Sequence, residues 1–243
     1  SSQGTTYIEG QGYTSVGAIT GGGEQTVIDV GDGNVNISSI ALTGSDKFGS
    51  NSSNYSAYGS TQNIGSELQT GNLQVNAANL NITGSTVAAQ TAYIDANVNI
   101  ESSIDSVDTY EKSKTTGFLS KETSETKSHQ EENVAGTLYV EGQGYITGNV
   151  DAVGSNVILG EDSYVGGSVT TDAQELNNSY YHTESKSGFQ ANFSNTNSSA
   201  TAQVGYGKSS STQTETSKIY AGSNLSIGNG SVLNNGASIT ATN

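Results

Sequence analysis

The chain has 243 residues, of which only 32% are hydrophobic, and a formal net charge of -15. It lacks Arg, Pro, Cys, Met and Trp, and its eight cations are all Lys. The missing Cys excludes disulfides, thiolate metal sites and a cysteine nucleophile. Strong acidity without a basic patch argues against nucleic acid or an anionic membrane surface as partner.

No apolar run approaches the ~18 residues a membrane helix needs. The sequence opens on Ser-Ser-Gln-Gly with neither Met nor a charged-then-apolar leader, so any signal peptide is expected to lie outside it. Low hydrophobicity and high charge are marks of disorder. Disordered chains, however, are usually rich in Pro and poor in β-branched residues, and this one is the reverse. Helix signals are nearly absent: Ser, Thr, Asn and Gly dominate, and no long window repeats apolar residues at helical spacing.

Strand signals begin at once. Tyr7-Ile8-Glu9-Gly10-Gln11-Gly12-Tyr13 is the first, and it returns further along as Tyr139-Val140-Glu141-Gly142-Gln143-Gly144-Tyr145. Gly4, Gly71, Gly136 and Gly222 each start a similar strand, so the chain reads as three blocks and a fragment of a fourth. Gly21-Gly22-Gly23-Glu24 and Asp29-Val30-Gly31-Asp32-Gly33 follow. They resemble the Gly/Asp turns of calcium-binding β-rolls without meeting the nonapeptide pattern. Asp29 and Asp32 are candidate oxygen ligands, with turn-forming Asp as the bland alternative, and no metal or cofactor is expected.

Val35-Asn36-Ile37, Leu73-Gln74-Val75, Leu80-Asn81-Ile82, Val98-Asn99-Ile100 and Leu225-Ser226-Ile227 each place two apolar residues around a polar one. That is the period of a strand with one buried face. The triplets are spaced regularly. Leu80 and Ile82 return at the next spacing as Val98 and Ile100. A shift of 19 lays Val140 on Leu159, Tyr145 on Tyr164, Ile146 on Val165, Gly148 on Gly167 and Val150 on Val169. Repeats of roughly 20 residues, built of short strands and tight turns, predict an all-β chain, a β-solenoid whose coils bury a core only when stacked. About 149 residues at about 19 per coil give roughly eight coils, a rod about 38 Å long at ~4.8 Å per strand. Its open ends could stack on one another, making end-to-end self-association one expected partner.

Three interruptions, approximately 44–67, 107–133 and 176–218, differ in chemistry. They hold every Lys, both histidines (His129 and His182) and all four Phe. Phe48, Phe118 and Phe189 are spaced 70 and 71 apart. Composition alone allows disordered linkers. Alternating Thr, Ser and charge also suits a two-sided-polar β-hairpin, and hairpins projecting from the solenoid are the favoured reading, with Lys guarding their edges.

Two strings carry a family resemblance: Asp108-Thr109-Tyr110-Glu111-Lys112-Ser113-Lys114-Thr115-Thr116-Gly117-Phe118 and Tyr180-Tyr181-His182-Thr183-Glu184-Ser185-Lys186-Ser187-Gly188-Phe189. Between short Gly/Asn-punctuated strands, they resemble the haemagglutinin repeats of filamentous haemagglutinin and of the large exoproteins of contact-dependent growth inhibition. The resemblance covers essentially the whole chain, and it is compositional and periodic. It implies a right-handed parallel β-helix, here with extended polar β-hairpin insertions. It also implies two-partner secretion through an outer-membrane transporter to the bacterial cell surface. The role it implies is adhesion, biofilm cohesion or delivery of a C-terminal toxin across a target cell's outer membrane, with a target-cell or host receptor as partner. Neither the family's secretion domain nor a toxin domain is evident. Residues 1–243 are therefore expected to form a single solenoid fragment from the middle of a longer protein.

No catalytic residue is predicted. His129 follows Ser128 and precedes Glu131 and Glu132, but adjacency in sequence does not make a triad. Glu161-Asp162 is the one adjacent acidic pair of the ladder, and glycoside hydrolysis uses two carboxylates; an exposed turn explains the pair equally well. A lyase that removes a proton beside a carboxylate would want a ladder Lys or Arg, and none is expected there.

Overall fold

A computed structural model describes residues 4–21, 23–51, 54–117, 120–188, 203–215, 218–221, 225–228, 232–235 and 238–241. Phe118, Phe189 and Gly222, singled out above, lie outside the described residues. The chain is all-β, with no helix among the described residues, and divides into a 17-stranded parallel sheet and a six-stranded antiparallel one.

The parallel sheet is three ladders visited in turn. The first runs through Thr5–Glu9, Gln25–Asp29, residues 72–76 and 91–95, Gly144–Ile146, Ser163–Val165 and Leu225–Ile227. The second runs through Tyr13–Val16, Asn34–Ser38, residues 79–83 and 97–101, Val150–Val153, Val169–Asp172 and Val232–Asn235. The third holds Ile19–Gly21, residues 67–70 and 86–89, Thr137–Val140, Asn156–Leu159, Lys218–Ala221 and Ser238–Ala241. Each ladder is thus seven strands deep among the described residues, against the roughly eight expected; passes such as Thr5 to Gln25 run longer than the 19 residues assumed.

Like side chains stack within each ladder. Ile8, Ile28, Val75, Ile94, Ile146, Val165 and Ile227 occupy one inward column. Val35, Leu80, Val98, Val150 and Val169 occupy another, all nearly inaccessible to solvent. Two inward residues per strand fill the core because the neighbouring passes supply the backbone hydrogen bonds. The short sequence offsets fall on paired residues: Leu80 on Val98, Val140 on Leu159, Tyr145 on Tyr164 and Val150 on Val169. Polar side chains stack outside in the same way. Asn36, Asn81 and Asn99 form an amide ladder at 2.8 Å per link. Tyr93, Tyr145 and Tyr164 stack ring on ring at 5.4 and 4.9 Å between centroids.

The long repeat of the heptapeptide is corrected. Tyr7 stands in the column of Val27, Gln74, Tyr93 and Tyr145, not in that of Tyr139. The first heptapeptide links the first ladder to the second, while its copy links the third to the first. It is a sequence for rounding a corner, used at two different corners. Of the block-starting glycines, Gly4 and Gly71 precede strands of the first ladder and Gly136 a strand of the third, so they are not all equivalent positions.

The three interruptions are antiparallel hairpins: Ile40–Asn51 with Asn54–Ile64, Ser103–Thr116 with Ser120–Val134, and Gln174–Gly188 with Gln203–Glu215. Their strands start at residues 40, 103 and 174, before the expected limits, and the first and third end earlier, at 64 and 215. Lys218 therefore belongs to the third parallel ladder, and the expectation of a ladder without cations fails there. Within these bounds the hairpins hold 11 acidic residues and seven Lys, a balance of -4, leaving -11 for the rest.

All three hairpins leave at one corner, between the second ladder and the third, on the second, fourth and sixth passes. On the first, third and fifth passes that corner is a tight turn at Gly17, Gly84 and Gly154, whose φ values are +57°, +52° and +56°, where glycine escapes the Cβ clash of the left-handed region. The N–H groups of Gly17, Gly84 and Gly154 donate to the carbonyls of Ser38, Glu101 and Asp172, the last ladder residues before each hairpin, at 3.0, 2.9 and 3.0 Å. From the following pass, Ser85 Oγ accepts the N–H of Ser66 at 3.0 Å and Ser155 Oγ that of Gly136 at 3.2 Å, where the first two hairpins return. Each of those two hairpin roots is therefore clasped by a tight corner above and another below.

Candidate functional site on the hairpin sheet

The hairpins join edge to edge. Asn54–Ile64 of the first pairs with Ser103–Thr116 of the second, and Ser120–Val134 of the second pairs with Gln174–Gly188 of the third. One continuous six-stranded antiparallel sheet results. The geometry follows from pitch. Strands lie ~4.8 Å apart, so a two-stranded hairpin is about as wide as two ladder passes. A hairpin on every second pass fills the sheet without gap or overlap.

One face carries the charged cluster. His129 stands opposite Asp108 in the second hairpin. Its Nδ1 lies 2.7 Å from Asp108 Oδ1 and its Nε2 lies 3.1 Å from Glu131 Oε1. Only the imidazolium can donate from both nitrogens at once, and these two carboxylates raise the His129 pKa above its ordinary value. Glu131 ties the cluster to the third hairpin. Its Oε2 accepts the Asn177 N–H at 2.5 Å, and its own N–H donates to Asn178 Oδ1 at 2.7 Å. The backbone donor of Asn177, with His129, holds the Glu131 pKa below the usual carboxylate value. On the same face Lys127 sits 5.4 Å from the Tyr110 ring centre and 5.6 Å from that of Tyr181, and pairs with Glu125 at 2.9 Å.

The opposite face carries a groove of about 940 Å3, whose lining also takes in His129 and Glu131. Tyr58, Thr109, Ser128 and Tyr180 lie side by side across four strands and three hairpins. Ser60, Val107 and Gln130 form the next row, with Asp105 and Glu132 paired beyond it. The hydroxyls of Thr109 and Ser128 bond each other at 2.5 Å. Tyr180 stacks with His182 at 6.5 Å between centroids and 14° between planes, and His182 Nδ1 lies 2.9 Å from Thr126 Oγ1.

Neighbours along a strand point to opposite faces, so Ser128 turns away from His129 and bonds Thr109 instead. The Ser–His adjacency does not become a Ser–His hydrogen bond. Glu161 and Asp162 lie in an exposed turn, where Asp162 has φ +53° and its carbonyl accepts Gln143 Nε2 at 3.1 Å. Asp29 accepts the Asn76 amide at 2.8 Å, and Asp32 lies in the exposed turn after Val30. No group of three metal-ligating side chains occurs among the described residues. The partners missed in the sequence were Asp108 for His129, which face each other across one hairpin, and the Tyr58–Tyr180 row, which depends on pairing between hairpins. Comparison with family models, with curated proteins and with solved structures finds no match.

Proposed function

We propose that this chain is a non-catalytic stalk and adhesive segment of a large secreted bacterial cell-surface exoprotein. In this reading its three ladders wind as a right-handed parallel β-solenoid and its hairpin sheet is the face offered to another cell or surface. The observation that carries the proposal is the gathering of three polar insertions, far apart in sequence, into one lateral sheet beside a stack of parallel ladders. A scaffold that grows pass by pass sets length. A sheet built only from its projections sets a surface that can vary without disturbing the core. Residues 108–116 and 180–188 of the two strings that resemble haemagglutinin repeats lie in strands of the second and third hairpins. Export through an outer-membrane transporter belongs to the same reading, and a chain without Cys suits it.

The test is to display the chain on cells that do not clump and to measure cell–cell aggregation and retention on host-cell layers. Displayed chain should raise both, and the same chain with its three hairpins replaced by tight Gly-Ser corners should not. Equal behaviour of bare cells and cells carrying the full chain would remove the adhesive reading.

A further inference from the structure

The groove flanked by Tyr58 and Tyr180 has the makings of a ligand site. Tyr58 and Tyr180 stand in one row, three strand spacings apart, or about 14 Å. Both residues are half exposed, at 42% and 48%. Between them the floor is low, since Thr109 and Ser128 are small and satisfy each other. Tyr180 is held in place by its stack on His182, which Thr126 in turn fixes.

Two aromatic plates flanking a floor of hydroxyl, amide and carboxylate groups suit sugar rings. The apolar C–H face of a pyranose packs on a tyrosine ring. Its hydroxyls both donate and accept, and Gln130 and Glu132 in the groove supply the complementary groups. The charge of the lining narrows the class. No Lys lines the groove, and Asp105, Glu131 and Glu132 outnumber its one histidine, His129, so sulfated, phosphorylated or uronic chains meet a lining whose net charge has their own sign. We propose that this groove binds an uncharged oligosaccharide across the strands, with Tyr58 and Tyr180 as its two stacking platforms. The inference rests on the adhesive reading and gives that reading a ligand class.

The test is calorimetric titration of the whole chain with short uncharged gluco-, galacto- and N-acetylated oligosaccharides, with heparin as the anionic comparison. At least one uncharged sugar should bind. Tyr58→Ala and Tyr180→Ala should each weaken it about tenfold or more, the scale of one lost aromatic stack with its buried area. Tyr58→Phe and Tyr180→Phe keep the ring and should keep the affinity. Tyr145→Ala, in the ladder stack away from the groove, should bind as the parent does. No binding by any uncharged sugar at millimolar concentration, tighter binding by heparin, or equal loss in Tyr145→Ala would each overturn the proposal.

If an alanine variant loses its sheet by circular dichroism, saturation-transfer NMR on the unaltered chain decides. Transfer from Tyr58 and Tyr180 supports the site, and transfer from ladder tyrosines alone overturns it. The two readings fail separately. Displayed cells that still adhere with Tyr58→Ala and Tyr180→Ala would sink the groove and leave the adhesive stalk. Sugar binding by a chain that confers no adhesion would do the opposite.

Discussion

The ladder and the hairpin sheet are both built from strands, yet they are held together by different means. Ladder strands alternate buried with more open positions, as residues 67–70, 72–77 and 79–83 do, and their inward columns are mostly Ile, Val and Leu. In the hairpins Ser103–Thr116 has no fully buried residue, and residues 40–49 are all exposed. The ladder stands on apolar area removed from water, about 1.5–3 kcal/mol for each large aliphatic side chain fully buried. The sheet stands on strand pairing, on cross-strand contacts such as Lys127 between Tyr110 and Tyr181, and on roots fixed by the ladder. A two-sided-polar sheet of this kind has no core of its own to set its register. Here the ladder sets it, by presenting a root every second pass.

The contrast is broken most severely from the ladder side. Ile82 is fully buried in the column of Ile37 and Ile100. Ile82→Ala should cost about 2–5 kcal/mol in chemical denaturation, the usual range for a buried aliphatic cut back to Ala. Phe48, large but 64% exposed on the first hairpin, should change stability by no more than about 0.5 kcal/mol when replaced by Ala. Equal costs would mean that the hairpins share the ladder's core.

The joint between the two regions comes next. Gly84 has φ +52°, and a Cβ there would run into the Ser103 side chain at the root of the second hairpin. Gly31 has φ +55° and open space around it. Both glycine-to-alanine changes should cost about 1–2 kcal/mol for the left-handed backbone. Gly84→Ala should add about 1–3 kcal/mol for the clash and should speed amide exchange at Ser103 and Ile104. If the two variants lose equal stability, the corner does not clasp the hairpin.

Excising the middle hairpin tests the pitch argument. Joining Ser102 to Ala135 should leave the ladder's thermal transition within a few degrees of the parent, since the core columns are untouched. The first and third hairpins would then be separated by the width of two strands and could not close the gap. Amides of Asn54–Ile64 and Gln174–Gly188 that now pair with the second hairpin should exchange freely. Collapse of the ladder would show that the sheet supports the stack rather than the reverse.

What could be read from the sequence follows the same division. Ladder register was legible because stacking places identical chemistry one pass apart, and uninterrupted passes keep that offset nearly constant, as Leu80 on Val98 and Tyr145 on Tyr164 show. Tyr145 over Tyr164 could therefore be read, whereas Tyr93 below Tyr145 could not, because the second hairpin intervenes and stretches the offset. The heptapeptide misled because a corner sequence can be reused at any corner. Hairpin pairing runs the other way along the chain, so its partners sit at varying separations. Pairing the ends of the segment, Ser103 with Val134, brings His129 opposite Asp108, which is where the structure has it. Nothing within one hairpin, however, shows that Tyr58 and Tyr180 share a row. That follows only from the spacing of roots on the ladder.

The smallest expected effect is a difference in pH response. His129 is flanked by Asp108 and Glu131, with Lys127 two residues along the same face engaged by Glu125. The His129 pKa is raised in the folded chain, so its contribution is complete below its unfolded value of about 6.5 and is lost as pH rises through the higher folded value. The Glu131 pKa is lowered, so its contribution is complete above its unfolded value of about 4.5 and is lost as pH falls through the lower folded value. The seam between the second and third hairpins should therefore be tightest between about pH 4.5 and 6.5. It should loosen on the alkaline side first. Amide exchange at Asn177 and Glu131, corrected for intrinsic rates, reads this directly, while the amides of Ile82 and Val98 in the aliphatic ladder core should stay level over the same range. His129→Gln keeps a hydrogen-bonding side chain without the charge and should flatten the alkaline limb at the seam alone. An unchanged alkaline limb in that variant would show that the two carboxylates, not the imidazolium, govern the seam.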